Sequence, residues 1–125
     1  MDNGYTIEFR DDHLHIELRE SYKPTPEMQD EIWELVRDAC EENKTHRVLV
    51  EGLMPEGDRP PMDVVRAGLK AAEIPDLWLA FNFDDFVPTE TTELYEVIAT
   101  SHGIRAKFFT DADRALKWLR ANALS

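Results

Sequence analysis

The sequence contains few of the residues that cross-link a chain or hold it in a membrane. Cys40 is the single cysteine among 125 residues, so neither an internal disulfide nor a paired-cysteine metal site can form. No run approaches the ~20 apolar residues that a membrane helix needs, and residues 1–4 lack the basic and apolar segments of a signal peptide. These features predict a cytoplasmic protein without membrane insertion.

Basic residues are scarce as well. The chain has 14 Lys and Arg against 26 Asp and Glu, a formal net charge of -12, which repels a phosphate backbone and argues against a nucleic-acid partner. Residues 1–43 hold 13 acidic and 4 basic side chains, against 13 and 10 in the remainder. We interpret this acidity as a solvated surface, with a docking surface for a basic partner as the alternative.

Glycine is rare too, with five residues in the whole chain. The sequence has no glycine-rich dinucleotide fingerprint, no phosphate-binding P-loop and no nucleophile elbow around a serine. We therefore expect no cofactor and no catalytic activity.

The remaining composition is that of a folded domain, with 42% hydrophobic and 32% charged residues. Residues 1–125 are predicted to form one domain in the order ββαβαβαβα. The predicted strands are 5–9, 14–18, 46–53, 77–83 and 104–109, and the helices begin after Thr25, at Met62, after Thr89 and after Thr110. This order predicts an α/β fold: a mainly parallel five-stranded sheet, helices on both faces, and the first strand antiparallel at or near an edge.

Single residues add detail to this outline. Gly103 is expected to end the third helix in a left-handed conformation, and Val97 is expected to face inward from that helix. Thr110, with Asp113 three residues later, resembles a capping box at the start of the last helix.

Acidic and amide side chains lie at or just beyond the carboxyl ends of predicted parallel strands, where an α/β enzyme would place its chemistry. These residues are Glu51, Asn82, Asp84, Asp85 and Asp111. Convergence of their side chains would hold a magnesium ion, but the competing interpretation is that the aspartates end strands and begin turns. A carboxylate-based metal-dependent enzyme is therefore the least favoured function.

Two other groups of reactive residues are interpreted structurally. His13 and His15 alternate on one strand face and have ligand-like spacing, but they lie opposite the core residues and are expected to be exposed. Cys40 lies on the apolar stripe of the first helix, where burial should raise its pKa and make it a poor nucleophile. No metal site is expected.

The C-terminal segment 108–119 (FFTDADRALKWL) and the element order resemble the SpoIIAA-like branch of STAS domains, named for sulfate transporters and anti-anti-sigma factors. The resemblance in element order covers nearly the whole chain. It implies a non-catalytic, regulatory module that binds a protein partner.

In phospho-regulated members of that family, a serine between the third strand and the second helix accepts phosphate. Here residues 46–88 contain no serine, threonine or tyrosine, so the serine switch is expected to be absent. The resemblance places partner binding in the segment 53–66. The candidate contact residues are Asp58, Arg59, Met62, Val65 and Arg66.

A second interpretation is a small apolar or lipid-like ligand, because the same branch is likened to lipid-binding domains of the SEC14 type. The aromatic residues that would line its cavity are Trp78, Phe81, Phe83, Phe86 and Trp118. Such residues more often fill a core. The identity of a protein partner and the formation of a homodimer stay open.

Overall fold

The computed structural model describes residues 4–10, 12–19, 26–52, 69–70, 73–74, 77–83, 90–101, 103 and 105–122. The strands are β1 (Tyr5–Arg10), β2 (His13–Leu18), β3 (Arg47–Gly52), β4 (Trp78–Phe83) and β5 (Arg105–Phe109). The helices are α1 (Pro26–Asn43), α2 (Glu90–Ser101) and α3 (Ala112–Asn122). Leu69 and Lys70 are also helical, within the helix predicted for 62–73, of which most lies outside the described residues.

The strands form one sheet in the order β1-β2-β3-β4-β5. β1 pairs with β2 antiparallel, and the other neighbours pair parallel. This confirms an α/β fold with a mixed five-stranded sheet. Because the spatial order follows the chain order, β1 and β5 lie at its two edges.

Successive strand residues point to opposite sides of the sheet, and different helices cover the two faces. On the first face, which we call the α1 face, Ile32, Val36 and Cys40 of α1 pack with the strand residues Leu14, Ile16, Leu18, Val48, Val50, Leu79 and Phe83. On the second, the α3 face, Ala115 and Leu119 pack against Leu49 and Ala80. Helices therefore lie on both faces, as predicted.

The end of α2 agrees with its sequence signal. Gly103 follows the helix with a φ of 86°, and its amide donates to the carbonyl of Thr100 at 3.1 Å, so the expected left-handed C-terminal residue is confirmed. Gly52 at the end of β3 has a φ of 121°, and a Cβ there would lie 2.1 Å from the Leu18 carbonyl oxygen. A larger residue at position 52 would therefore disturb the pairing of β2 with β3.

Two local predictions need correction. Asp111, not Thr110, caps α3, because its Oδ1 accepts the Asp113 amide at 2.9 Å. Val97 is 60% exposed instead of facing inward. α2 packs against the edge strand β5, so a narrow stripe of the helix is covered, and Leu94 but not Val97 reaches the core.

The β1–β2 ladder determines which backbone groups of β1 face the open edge. The Arg19 amide donates to the Gly4 carbonyl at 2.7 Å, and the register continues from Tyr5 opposite Leu18. Hydrogen-bonded pairs alternate along an antiparallel ladder, so residues 6, 8 and 10 also bond to β2. The amide and carbonyl groups of Ile7 and Phe9 therefore point away from the sheet.

This alternation predicts different effects of proline at neighbouring positions. Glu8→Pro removes an amide that bonds to β2 and should lower the free energy of unfolding by about 2–3 kcal/mol. Phe9→Pro removes an amide that points away from the sheet. It should lower the free energy of unfolding by at most about 1 kcal/mol more than the control Phe9→Ala, which loses the same ring. Urea unfolding of the three variants measures this. If Phe9→Pro lost as much stability beyond Phe9→Ala as Glu8→Pro loses in total, the assigned ladder would be contradicted.

Candidate functional site

An open groove runs between the edge strand β1 and helix α1, with a volume of about 350 Å³. Its lining residues are Tyr5, Ile7, Leu35, Asp38, Ala39 and Glu42. Tyr5 and Ile7 project from the α1 face of β1, while the other four lie along one side of the helix. The groove is therefore apolar along its floor and acidic at the helix.

Apolar side chains at the groove remain open to solvent. Leu35, which lines the groove, is 44% exposed. Phe9, two residues beyond Ile7 on the same face of β1, is 42% exposed. Covering these side chains would be favourable at roughly 25 cal/mol for each Å² of apolar surface removed from water.

Negative charge surrounds this groove on the helix side. Helix α1 contains seven acidic residues and one basic residue, Arg37. Arg37 lies 3.9 Å from Asp38 and 3.7 Å from Glu73, as loose surface ion pairs. Burial, followed by the charge and hydrogen bond of Glu31, raises the pKa of Tyr5. The groove is thus an electronegative surface with an apolar floor.

Together, the groove and the β1 edge (Tyr5–Arg10) form what we call the edge site. It offers two kinds of contact at one place: outward main-chain groups of Ile7 and Phe9 that have no partner in the described part of the chain, and an adjacent apolar surface. An extended polypeptide satisfies both at once, because its backbone pairs with β1 while alternate side chains enter the groove.

A row of polar side chains occupies the α3 face. His15 Nε2 donates to Glu51 Oε1 at 2.8 Å, and Asn82 Nδ2 donates to Glu51 Oε2 at 2.8 Å. His15 and Asn82 are 5% and 4% exposed. Glu51 and Asn82 therefore meet at the carboxyl ends of the parallel strands β3 and β4, a contact that the less favoured magnesium interpretation also included. The Asn82 Oδ1 is buried without a hydrogen-bond partner among the described residues.

His13 belongs to a second polar group that fastens α3 to the β1–β2 turn. Its Nδ1 donates to Asp12 Oδ1 at 2.9 Å, and Arg120 of α3 donates to Asp12 Oδ2 at 2.9 Å. Burial alone would raise the pKa of Asp12, but hydrogen bonds and positive charge from His13 and Arg120 outweigh it and lower that pKa.

The prediction that His13 and His15 are exposed is wrong, since both are 5% exposed. The prediction followed from strand alternation, which put both rings opposite the α1 face. That assignment of faces is right, but the second face is covered as well: α3 lies on it, and carboxylates accept from both rings. Burial of these histidines is a consequence of long-range packing.

The residues considered for metal and thiol chemistry are described in part. Within the described ranges, no three His, Cys, Asp or Glu side chains are placed to hold a metal ion. Asp84 and Asp85, two of the residues considered as magnesium ligands, lie outside those ranges. Burial raises the pKa of the Cys40 thiol to about 11, as its position on α1 predicted.

The five contact residues predicted from the family resemblance all lie outside the described residues. They are Asp58, Arg59, Met62, Val65 and Arg66. Partner binding through the segment 53–66 stays a prediction.

The aromatic residues predicted to line a ligand cavity do not form one group. Trp78 and Trp118 pack edge to face on the α3 face with ring centroids 5.3 Å apart. Phe81 and Phe83 lie on the α1 face, where Phe81 stacks on Phe108 at 4.8 Å. Phe86 lies outside the described residues. The sheet separates the four described members, so they do not line one common cavity.

The residues of the edge site were not singled out from the sequence. Two signals pointed toward them: the assignment of the first strand to an edge, and the excess of acidic side chains in residues 1–43. The sequence did not indicate the contact between β1 and α1, which places Ile7 beside Leu35 although they are 28 positions apart.

Comparison with known proteins supplies no relative: no protein family, curated protein or solved structure matches the chain significantly. Separately, among the described residues, no helix is long and apolar enough to cross a membrane.

The polar row predicts unequal roles for two glutamates that are cross-strand neighbours. Glu51→Ala leaves the buried His15 and Asn82 without their acceptor and should lower the free energy of unfolding by about 2–4 kcal/mol. Glu17 is opposite Glu51 in the β2–β3 register but is exposed. Glu17→Ala should therefore change the free energy of unfolding by less than about 0.5 kcal/mol. Thermal or urea unfolding compares them. A cost for Glu51→Ala no larger than for Glu17→Ala would show that the row contributes no stability.

Proposed function

We propose that this chain is a non-catalytic binding module, and that a segment of a partner protein binds at the edge site as an added strand. The observation that carries the proposal is the outward direction of the Ile7 and Phe9 main-chain groups beside an open apolar groove. Strand addition to a sheet edge takes affinity from main-chain hydrogen bonds and specificity from pockets for alternate side chains.

The edge differs from the protected edges that proteins use against unwanted pairing. Such edges are typically short, rich in lysine or interrupted by proline or a bulge. β1 has six residues, with neither lysine nor proline, and its register with β2 is unbroken. Its two charged side chains, Glu8 and Arg10, form an ion pair with each other, whereas those of β5 have the same sign. β5 at the opposite edge has exposed Arg105 and Lys107 among its five residues. The contrast favours β1 as the edge adapted for binding.

The resemblance to SpoIIAA-like STAS domains supports a regulatory role for this binding. A starting hairpin followed by strand–helix pairs is the order typical of that family, and a ββα start with later parallel strands agrees with it. The missing hydroxyl residues between 46 and 88 argue that regulation would not use a serine switch in that segment. Binding at the edge site needs no such switch.

A displayed library of random peptides about ten residues long tests the proposal, because it samples many sequences and needs no identified partner. Peptides are selected on the native protein, and their dissociation constants are then measured on Phe9→Pro and Phe9→Ala. Both variants lose the ring, but only Phe9→Pro loses the outward amide. We expect Phe9→Pro to bind at least about tenfold more weakly than Phe9→Ala, the effect of about one main-chain hydrogen bond.

The control for this comparison is Val97→Ala, which alters an exposed apolar residue on α2, away from the edge site. Selected peptides should bind it as tightly as the native protein. Equal binding to Phe9→Pro and Phe9→Ala would overturn strand addition. Equal binding to the native protein and both Phe9 variants would overturn the edge site as a whole.

A further inference from the structure

The charge at the edge site constrains the chemistry of its occupant, if the proposed strand addition holds. Asp38 and Glu42 line the groove from α1, and the nearby charge of Glu31 adds to the effect of burial in raising the pKa of the Tyr5 phenol. Asp38 is 70% exposed in its loose pair with Arg37, and Glu42 has no ion pair among the described residues. Among the described residues, the loose pair with Arg37 is therefore the one ion pair that offsets the negative charge of these two groove carboxylates.

Acidic side chains on a bound segment would add to this charge, whereas basic side chains would reduce it. Lysine and arginine also fit the shape of the site, because their aliphatic stems pack on apolar surface while the charged head stays at the rim. A strand beside β1 directs alternate side chains over the α1 side. There a stem contacts Leu35 while its head reaches Asp38 or Glu42.

We infer that the partner segment is basic, with Lys or Arg at alternate positions that face α1 and with apolar or neutral residues between them. This inference rests on the proposed function and adds the chemistry of the partner. It also changes the interpretation of the acidic helix: the part of its surface beside β1 is a docking surface, and not solely a solvated one.

A second copy of the chain is a less suitable occupant. Pairing β1 with β1 would bring two α1 helices toward one junction, each with seven acidic residues and one basic residue. The chains also repel each other at long range, since each has a net charge of -12. Electrostatics thus disfavours the symmetric dimer and favours a partner of opposite charge.

Defined peptides test this inference directly. The probe is a peptide of about seven residues, a usual strand length, in which Arg, Val and Arg are separated by Thr. The matched probe has Glu in place of both Arg residues, and a third probe is the Arg peptide N-methylated at its Arg and Val amides. Fluorescence anisotropy at low ionic strength gives the dissociation constants. We expect the Arg peptide to bind at least about tenfold more tightly than either of the others.

Charge reversal on the protein provides the reciprocal test. Asp38→Lys combined with Glu42→Lys should weaken binding of the Arg peptide about tenfold, because two rim interactions of up to about 1 kcal/mol each become repulsive. The control double variant is Glu17→Lys with Glu93→Lys, which changes the net charge equally at exposed positions outside the groove. It should weaken binding less than about threefold, through long-range attraction alone.

The outcomes separate the inference from the proposed function. Three results would overturn the inference of a basic partner: equal binding of the Arg and Glu peptides, an equal loss of affinity for the Arg peptide in the two double variants, or no binding of the Arg peptide. Edge-dependent binding of peptides of another composition would still support strand addition. Equal binding of the N-methylated peptide would overturn strand addition and leave charge attraction alone. Concentration-dependent dimers that Phe9→Pro abolishes would identify a second copy as the occupant.

Discussion

The antiparallel ladder between β1 and β2 determines which groups the protein presents at the edge of its sheet. One hydrogen bond, from the Arg19 amide to the Gly4 carbonyl, establishes the alternation. Residues 6, 8 and 10 then bond to β2, while Ile7 and Phe9 direct main-chain groups outward and side chains toward α1. A shift of one residue would turn those side chains to the α3 face and remove the apolar floor of the groove.

The two faces of the sheet are organised in different ways. The described residues of the α1 face are almost entirely apolar. Helix α1 covers the edge strand β1 incompletely, and the groove lies in the uncovered part. The α3 face combines a small apolar contact with buried hydrogen bonds of His13, His15 and Asn82. Such buried polar groups require partners in defined positions, so they hold α3 and the strands in register. The rigid sheet in turn fixes the edge site.

Much of the fold was predictable from sequence because it depends on local patterns. Local patterns located β1 and β2 to within one residue, the start of α1 after Thr25, and the end of α2 at Gly103. Alternation could also have separated Trp78 from Phe81 and Phe83, since odd and even positions of one strand face opposite sides. Burial of His15, exposure of Val97 and the contact of β1 with α1 depend on how far a helix covers its face. Chain-distant packing sets that coverage, and no local pattern encodes it.

Amide hydrogen exchange of single residues, followed by NMR, tests most directly whether β1 is an open edge that binds an added strand. In the free protein, we expect slow exchange for the Glu8 amide, which bonds to β2, and fast exchange for the amides of Ile7 and Phe9. Saturation with the Arg peptide should slow the Ile7 and Phe9 amides and leave Glu8 unchanged. Slow exchange of Ile7 and Phe9 in the free protein, or no slowing on saturation, would contradict an edge that binds by strand addition.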